Sequence, residues 1–377
     1  MRKIAILGAS YLQLPLVQKA KKNGLEVHCF AWDDGKAVCK DVSDFFYDIS
    51  VLDKEKILET CEKVNINGII TIATDICIPT ISYVASHLNL ISNTEECALL
   101  TTNKSAMRKC FYENSIPSPR FTTLRSYMED SIQHLNYPLV VKPSDRSGSL
   151  GVVKVFNESE CQEAIEKAIE VSFSKTCVVE EFIEGSEVSV ETVSWQGCHH
   201  IITITDKIIT EEPYFVELAH HQPSNLPQSI QNQIKKITLE VLKVTEVEYG
   251  ASHIEFKITA EGKVYVVEIG SRMGGDFIGS DLVELSTGFD YVQSVIDIAM
   301  NEYQEKNMTF SGQHYSGVYF LSKNTEIILN YFKNDPINDD FSVIKKEIQN
   351  DELKDVKSSN DRSGYLIYQA DKRIDLL

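Results

Sequence analysis

Two glutamates, Glu255 and Glu268, lie on opposite arms of a predicted β-hairpin, each within a run that is otherwise apolar. Because side chains alternate along a strand, we expect Glu268 to share a face with Val264 and Val266, and the two carboxylates to meet across the paired strands. Mg²⁺ binds a few carboxylates together with phosphate oxygens. The hairpin therefore predicts a magnesium site that holds nucleotide phosphates, and solvated acids on a surface hairpin are the alternative.

The residues after the second arm are candidates for contact with the reacting groups. Arg272 supplies a positive charge, and Gly274 and Gly275 follow it directly. We expect substrate to lie at these two glycines, between Arg272 and Asp276. Asp276 would suit the ammonium group of an amino-acid substrate, and the alternative is that it caps the helix predicted for 277–285.

A loop rich in serine and glycine is a candidate phosphate site. An apolar strand ends in Lys142 and leads into the loop, where Ser147, Gly148 and Ser149 follow one another. Backbone N–H groups in such a loop can approach phosphate oxygens, and Lys142 would add a positive charge. The loop is not a Walker A motif, in which the lysine follows the glycines. A plain turn is the alternative.

A third segment, 176–190, has the order expected for nucleoside recognition. An apolar strand ends in Glu180 and Glu181, a short linker of Phe182 and Ile183 follows, and Glu187 opens the next strand. We interpret the backbone of Glu181, Phe182 and Ile183 as the part that reads the adenine edge. Glu187 would accept the ribose hydroxyls.

Together with Lys104 upstream, these segments resemble the ATP-grasp superfamily in order and spacing. The resemblance covers nearly the whole chain. It is closest to the amino-acid ligases and more distant to carbamoyl phosphate synthetase and biotin carboxylase. The stretch 215–224 is similar to the F-x-E-x-x-H-x-x-P pattern of those ligases, and 359–367 is similar to their carboxy-terminal subdomain.

The resemblance implies a mixed α/β and α+β chain with an ATP-grasp fold and a Rossmann-like pre-grasp domain. ATP and Mg²⁺ are the implied cofactors, with Mn²⁺ as an alternative ion. Lys104 and Lys142 would contact the phosphates, and Glu180 would meet the adenine. Phe256 is suited to pack on the adenine face, with Val140 and Val179 as further walls, although core packing is the better expectation for the valines. Arg272 would stabilise the acyl-phosphate.

One position departs from the superfamily pattern. The usual order is Glu-x-Asn-x-Arg, whose asparagine helps to hold a second metal ion, and this chain has Gly270 between Glu268 and Arg272. Glycine has no ligand atom. A second Mg²⁺ would then depend on Glu268, phosphate and water.

The motifs contain no serine, cysteine or histidine nucleophile, so we expect the substrate to attack ATP itself. A carboxylate would attack the γ-phosphate to give an acyl-phosphate, and an amine would then displace phosphate to leave an amide. His220 or His221 would steady the transferred phosphoryl group or deprotonate the amine, and a surface loop pair is the alternative. A bicarbonate-activating ligase is one rival, and a nucleotide-binding module without turnover, which Gly270 favours, is another.

Composition argues against nucleic acid and membrane partners, and the resemblance implies small-molecule carboxylate and amine substrates. The formal net charge of −18 argues against nucleic acid, whose binding needs clustered lysine and arginine. The nine cysteines contain no C-x-x-C pair, which indicates buried thiols in a reducing compartment. No apolar run approaches the roughly 18 residues of a membrane span, and the N-terminal apolar run is better explained as a first strand than as a secretion signal. A cytoplasmic protein without membrane partners is expected, with a homodimer left open.

A chain of 377 residues is too long for one core, so several domains are predicted. We expect an α/β pre-grasp domain at 1–102, a small lid at 103–188, a larger metal-binding subdomain at 189–310 and a carboxy-terminal subdomain at 311–377. The turn at Gly8 invites a rival interpretation as a dinucleotide fold. The turn lacks the second and third glycines of G-x-G-x-x-G, which pyrophosphate approach and helix packing need, and this argues against that interpretation.

Overall fold

Three β-sheets organise the chain in the computed structural model. The structure describes residues 1–146, 148, 150–210, 212, 214–312, 314–333, 341–350 and 352–377. Ser147 and Ser149 of the predicted phosphate loop lie outside the described residues. Two of the sheets have four strands and the third has eight.

The N-terminal sheet is parallel, as the alternation of strands and helices predicts. Its strands lie in the order β3-β2-β1-β4. The elements are β1 (Lys3–Leu7), α1 (Leu14–Lys22), β2 (Glu26–Ala31), β3 (Phe45–Asp48), α2 (Lys54–Val64), β4 (Gly68–Ile70), α3 (Ile78–Leu88) and α4 (Glu95–Thr102). Apolar clusters cover both of its faces. The loop that follows β4 carries Asp75 at the carboxyl edge of this sheet.

The second sheet is an antiparallel lid in the order β5-β8-β6-β7. Its elements, with the helix that precedes them, are α5 (Lys104–Glu113), β5 (Phe121–Leu124), β6 (Leu139–Pro143), β7 (Val153–Val155), α6 (Glu158–Val171) and β8 (Cys177–Glu181). Helix α6 packs on one face, where Val141 and Val179 join the lid core. Alternation therefore places Lys142 and Glu180 on the other face.

The eight-stranded sheet has the order β13-β12-β9-β10-β11-β14-β16-β15. Its strands are β9 (Ser186–Trp195), β10 (Cys198–Ile209), β11 (Glu217–Gln222), β12 (Gly250–Ile258), β13 (Val264–Gly270), β14 (Tyr315–Leu321), β15 (Ser342–Ile348) and β16 (Gly364–Ala370). The helices are α7 (Gln228–Val244), α8 (Val283–Thr287), α9 (Tyr291–Ala299) and α10 (Asn330–Lys333).

The domain boundaries stay predictions. The boundary expected at 188 falls inside β9, and the strands of 311–377 continue the same sheet that carries the Glu255–Glu268 hairpin. The carboxy-terminal segment therefore contributes directly to the sheet on which the candidate metal ligands lie.

A β-bulge in the hairpin corrects the alternation expected from the sequence. Glu255 pairs with Glu268, and the next pair is Phe256 with Val266, so that Val267 is an extra residue. The expectation that Val264 and Val266 share a face with Glu268 is wrong. Both valines lie in the core that packs against α5 and α7. The bulge lets a buried strand present Glu268 on the same side as Glu255.

The cysteines confirm the expectation of buried thiols, since eight of the nine are buried and all nine are free. In the described part of the chain, none of the helices combines the length and the apolar character needed to cross a membrane.

Candidate active site

Lys207 lies at the centre of a cluster of carboxylates on the eight-stranded sheet. Its Nζ is 2.7 Å from Glu255 Oε1, 2.8 Å from Glu187 Oε1 and 3.7 Å from Glu217 Oε1. Burial lowers the pKa of Lys207, but these carboxylates outweigh burial and raise it well above its usual value. Lys207 is therefore charged. The sequence analysis missed it, and the available signal was a lone lysine within the apolar run of β10.

The two predicted metal ligands meet across the hairpin as expected, because Glu255 and Glu268 are register partners. Each carboxylate is held by cations on one side, Glu255 by Lys207 and Glu268 by Lys104 at 2.6 Å. Each side chain keeps about a quarter of its surface exposed, 25% and 27%. Burial raises the pKa of Glu255, but Lys207 and His253 lower it well below its usual value. Glu255 is thus ionised, as a ligand of a hard cation must be.

Two carboxylates alone do not make a complete metal site. Among the described residues, no group of three or more His, Cys, Asp or Glu side chains is placed to hold a metal ion. Mg²⁺ commonly uses one or two carboxylates and completes its shell with phosphate oxygens and water. The pair therefore fits an ion that arrives with nucleotide phosphates.

His253 and Glu191 form a buried chain of contacts behind Glu255, one of the two candidate metal ligands. The Nε2 of His253 lies 3.2 Å from Glu255 Oε1, and its Nδ1 lies 2.5 Å from Glu191 Oε1. Glu191 is fully buried, and its second oxygen accepts a hydrogen bond from the N–H of Gly274 at 3.0 Å. A single buried acid thereby connects Glu255 to the glycine segment. Sequence reasoning missed both residues, although His253 lies two positions before Glu255 on the same strand face.

On the lid, Glu180 is enclosed by two cations. Lys142 forms an ion pair with one oxygen, and Arg108 Nε lies 2.8 Å from the other. Burial would raise the pKa of Glu180, but Arg108 and Lys142 lower it to about 2. The structure thus brings the predicted Lys142 and Glu180 together. Arg108 was missed, and its signal was its place four residues after Lys104 on one helix face.

Lys104 connects the lid loop to the hairpin. It is the first residue of α5, whose start is capped by the side chain of Asn103. Its Nζ donates to Glu268 Oε1 at 2.6 Å and to Arg146 O at 2.9 Å. Gly148 follows in the same loop with φ +64°. The loop that carries Gly148 is therefore tied to a metal-ligand candidate.

The linker after β8 corrects part of the adenine prediction. The N–H of Glu181 donates to Arg120 O at 2.9 Å, and the N–H of Phe182 donates to Pro138 O at 3.0 Å. The side chain of Glu181 accepts from Arg120 and Asn136. These groups hold the linker within the lid. Of the groups predicted to meet adenine, the carbonyl oxygens and Ile183 remain candidates.

A cavity of about 570 Å³ adjoins this linker. Its lining residues are Phe182, Ile183, Glu184, Gly185, Ser186, Ile258, Thr259, Ala260, Glu261, Lys263 and Tyr265. Gly185 permits the close approach of linker and hairpin, because a Cβ there would lie 2.0 Å from Ile258 O. Glu187, the predicted ribose acceptor, lies two positions after Gly185 and is held by Lys207 and by Lys257 at 3.3 Å.

The prediction that Phe256 packs on adenine is wrong. Glu255 faces the site, so its neighbour Phe256 faces the opposite side and is fully buried in the core. Val179 likewise belongs to the lid core, as the core-packing alternative held. Tyr265 lines the cavity instead.

Arg272 is held by an acid from the N-terminal domain. Its Nε and one terminal nitrogen each lie 2.8 Å from a different oxygen of Asp75. Burial lowers the pKa of Arg272, but Asp75 raises it above its usual value, so the guanidinium stays charged. The sequence analysis missed Asp75, which lies far from Arg272 in the chain and in no motif.

Asp276 forms an ion pair with Arg362 at 2.6 Å. Arg362 also donates to Glu217 Oε2 at 3.0 Å and lies 3.8 Å from the centre of the Phe320 ring. The helix-cap alternative for Asp276 is wrong, because Phe277 stands at the cap of the following helical turn and no side chain caps it. A Cβ on Gly275 would lie 3.5 Å from Ala73 Cβ, and the substrate role of Gly275 stays a prediction.

The side chains of His220 and His221, which are consecutive residues of β11, lie on opposite faces of the eight-stranded sheet. His221 lies in the core, where its Nδ1 is 2.8 Å from the hydroxyl of Tyr368 and burial lowers its pKa to about 3. The catalytic prediction for His221 is therefore wrong. His220 pairs with Lys207 across the strands and is 1% exposed. Burial, then Lys207 and Arg362, hold the pKa of His220 well below its usual value. The surface-loop alternative is wrong for both, and a catalytic role for His220 stays a prediction.

Comparisons with known proteins identify the fold. Residues 135–281 match the family model described as the ATP-grasp domain. The D-alanine–D-alanine ligase of Thermosipho africanus is 26% identical over 229 residues, which are 55% of this chain and 60% of that protein. D-alanine–D-alanine ligase B of Clostridium perfringens is 23% identical over 180 residues, 46% of this chain and 59% of that protein. The chain thus spans about 60% of the length of the curated relatives it matches.

Solved structures cover almost the whole chain. The L-amino acid ligase of Bacillus licheniformis has a TM-score of 0.75 at 21% identity and covers 99% of this chain and 94% of its own. An N5-carboxyaminoimidazole synthetase of Staphylococcus aureus complexed with ADP gives 0.76 at 17%, covering 97% and 92%. The biotin carboxylase of Campylobacter jejuni gives 0.73 at 16%, covering 99% and 88%. These likenesses show that the chain shares the fold of all three.

Proposed function

We propose that this chain, which carries an ATP-grasp domain, is an ATP-dependent ligase that joins a carboxylate to an amine. The products would be an amide, ADP and phosphate. The observation that carries the proposal is the Glu255–Glu268 pair, whose carboxylates meet across the bulged hairpin and are each held by a lysine. Such a pair suits a cation shared with phosphates, and the neighbouring lysines suit the phosphates themselves.

ATP with Mg²⁺, or Mn²⁺ in its place, is the proposed cofactor. The ion would be held by Glu255 and Glu268 and would neutralise charge on the phosphates. Lys104, Lys142 and Lys207 would contact the phosphate oxygens by exchanging their present carboxylate partners for those of the nucleotide. Adenine would enter the cavity beside the linker.

The ribose would meet Glu187, the first acid of β9. Its two oxygens are held by Lys207 and Lys257 at 2.8 and 3.3 Å, which fixes the carboxylate next to Ser186, a residue that lines the cavity. A carboxylate with an oriented oxygen is a good acceptor for two vicinal hydroxyls. This geometry supports the sequence-based assignment of Glu187.

The reaction would begin when a substrate carboxylate attacks the γ-phosphate. An acyl-phosphate and ADP form, and an amine then displaces phosphate to leave an amide. The chain would supply position and positive charge, with Arg272 directed at the charge that develops on the acyl-phosphate. The lid would keep water from the acyl-phosphate.

The acceptor amino acid would lie near Gly275, between the sheet and the N-terminal domain. Asp276 and Glu217 share Arg362, and burial together with Asp276 raises the pKa of Glu217. A substrate ammonium group would relieve the crowding of these two acids, which favours an amino acid over bicarbonate. The substrates would be small molecules, and a cytoplasmic location and a homodimer stay predictions.

The test is phosphate release from ATP in a screen of amino acids, amines and bicarbonate. Ligation predicts ADP, phosphate and an amide, and a substrate labelled with ¹⁸O in its carboxyl group should pass one labelled oxygen to phosphate. AMP and pyrophosphate would indicate adenylation. Turnover with bicarbonate but no amino acid would indicate a carboxylase, and ATP binding without turnover would indicate a binding module. Glu255→Gln should abolish this release, and Glu240→Gln, which changes an exposed acid on α7, is the matched control.

A further inference from the structure

The loop after β4 docks on the segment that follows β13. Asp75 holds Arg272 through two bonds of 2.8 Å, and the N–H of Ala73 donates to Met273 O at 3.2 Å. The Arg272 and Asp75 side chains are only 15% and 13% exposed. A planar guanidinium held at two nitrogens by one carboxylate has its orientation fixed. The N-terminal domain therefore sets the direction of an arginine in the candidate active site.

The same pair explains why residue 270 carries no side chain. A Cβ on Gly270 would lie 2.5 Å from Asp75 Oδ1 and 3.2 Å from both Nε and Cζ of Arg272. Real Cβ atoms essentially never come closer than 3.0 Å to a heavy atom outside their own residue and its two chain neighbours. Any side chain at 270 would have to displace the carboxylate of Asp75, and the guanidinium would then lose its partner.

We propose that Asp75 is a positioning residue for Arg272, and that residue 270 is glycine because the Asp75–Arg272 pair fills the volume that a side chain there would need. The position expected to hold an asparagine is thus occupied by a carboxylate from another domain. With both of its oxygens on Arg272, Asp75 orients the arginine and does not serve as a metal ligand. The catalytic consequence of this inference rests on the proposed function. The contact between Asp75 and Arg272, and its effect on Gly270, do not depend on that function.

The first experiment replaces Asp75 by asparagine, which keeps the size and removes the charge. We expect kcat to fall on the order of tenfold or more while the KM for ATP changes by less than about threefold, because Arg272 acts on the reacting group and not on nucleotide binding. Asp53→Asn, at the start of α2 in the same domain, is the matched control and should leave both constants unchanged. The proposal would be overturned if Asp75→Asn left kcat unchanged. It would also be overturned if the variant raised the KM for ATP on the order of tenfold without lowering kcat.

The second experiment tests the link to Gly270. Gly270→Ala should lower kcat in the wild-type chain but add little in an Asp75→Gly chain, where the 2.5 Å contact with Asp75 is gone and Arg272 has already lost its partner, so the two changes should be strongly non-additive. Additive losses, or a harmless Gly270→Ala, would contradict the proposed reason for the glycine.

A readout independent of turnover separates this inference from the proposed ligase activity. Phenylglyoxal modifies arginine side chains, and mass spectrometry can follow its rate at Arg272. We expect slow modification in the wild type and faster modification in Asp75→Asn and Gly270→Ala. Equal rates in all three chains would overturn the pairing even if the ligase reaction is found. Faster rates in a chain that turns over no substrate would keep the pair and reject the proposed function.

Discussion

The two halves of the candidate site have opposite charge arrangements. On the eight-stranded sheet, a buried cation, Lys207, is enclosed by Glu187, Glu217 and Glu255. On the lid, a buried carboxylate, Glu180, is enclosed by cations. Because a buried charge must be paired, each half compensates its central group with partners of the opposite sign.

The difference indicates what each half is suited to receive. The sheet presents the outer edges of carboxylates, which suit a cation, and the lid presents lysine and guanidinium groups, which suit phosphate oxygens. A magnesium nucleotide carries both signs. The ion pairs seen on each half hold the groups in place, so little rearrangement would be needed when the nucleotide replaces one partner of each pair.

The largest expected effect follows from breaking the sheet half. Glu268→Gln should reduce ADP release by about 100-fold or more while the chain stays folded, because an amide oxygen is a poorer ligand for Mg²⁺ and carries no charge. Steady-state ADP release and the far-UV circular dichroism spectrum measure the two parts. Glu240→Gln is the control, and undiminished turnover in Glu268→Gln would reject the metal assignment.

Breaking the lid half should have a smaller effect spread over two constants. Lys142→Ala should raise the KM for ATP and lower kcat together, each by roughly tenfold, because a lysine on the phosphates acts in both the ground state and the transition state. Lys109→Ala, an exposed lysine on α5, is the matched control. If calorimetry finds the same ATP affinity in Lys142→Ala as in wild type, the loop after β6 is only a turn.

The lid half should also respond to acid. The pKa of Glu180 lies near 2 in the folded chain, below its usual value of 4.5, so its stabilising contribution is present above pH 4.5 and is lost as the pH falls towards 2. A shift of this size corresponds to about 3 kcal/mol. Urea unfolding at pH 6 and pH 3 should show a smaller loss of stability in Glu180→Gln than in wild type. Equal losses would place the acid sensitivity elsewhere.

Sequence reasoning located the parts of the site that lie within short motifs. The hairpin acids Glu255 and Glu268 and the lid pair Lys142 and Glu180 were found because each stands out in an apolar strand. The fold class followed from the order of these motifs and from the strand and helix alternation at the N-terminus.

The remaining parts depend on contacts between distant segments, which no local pattern encodes. Asp75 meets Arg272 only because the loop after β4 contacts the segment after β13, and Glu191 is one acid among several in an alternating strand. The bulge at Val267 is invisible to a rule of strict alternation, and it is the reason why Val266 was assigned to the wrong face. The prediction for Phe256 relied on its position next to Glu255. It was wrong because adjacent residues of a strand face opposite sides of the sheet.

The smallest effect on turnover is expected for changes at the two histidines, whose side chains lie on opposite faces of the sheet. His220 faces Lys207, whereas His221 packs in the core against Tyr368. His220→Phe should therefore lower kcat by a few fold, and His221→Phe should leave turnover unchanged. His221→Phe should instead alter the pH dependence of stability. The pKa of His221 is about 3 in the folded chain, below the usual 6.5. Because the unfolded chain therefore binds a proton more readily, the free energy of unfolding decreases as the pH falls from 6.5 towards 3. In His221→Phe, the free energy of unfolding should therefore depend less on pH over that range. If His221→Phe instead lost turnover while its stability was unchanged, a catalytic role for His221 would be supported.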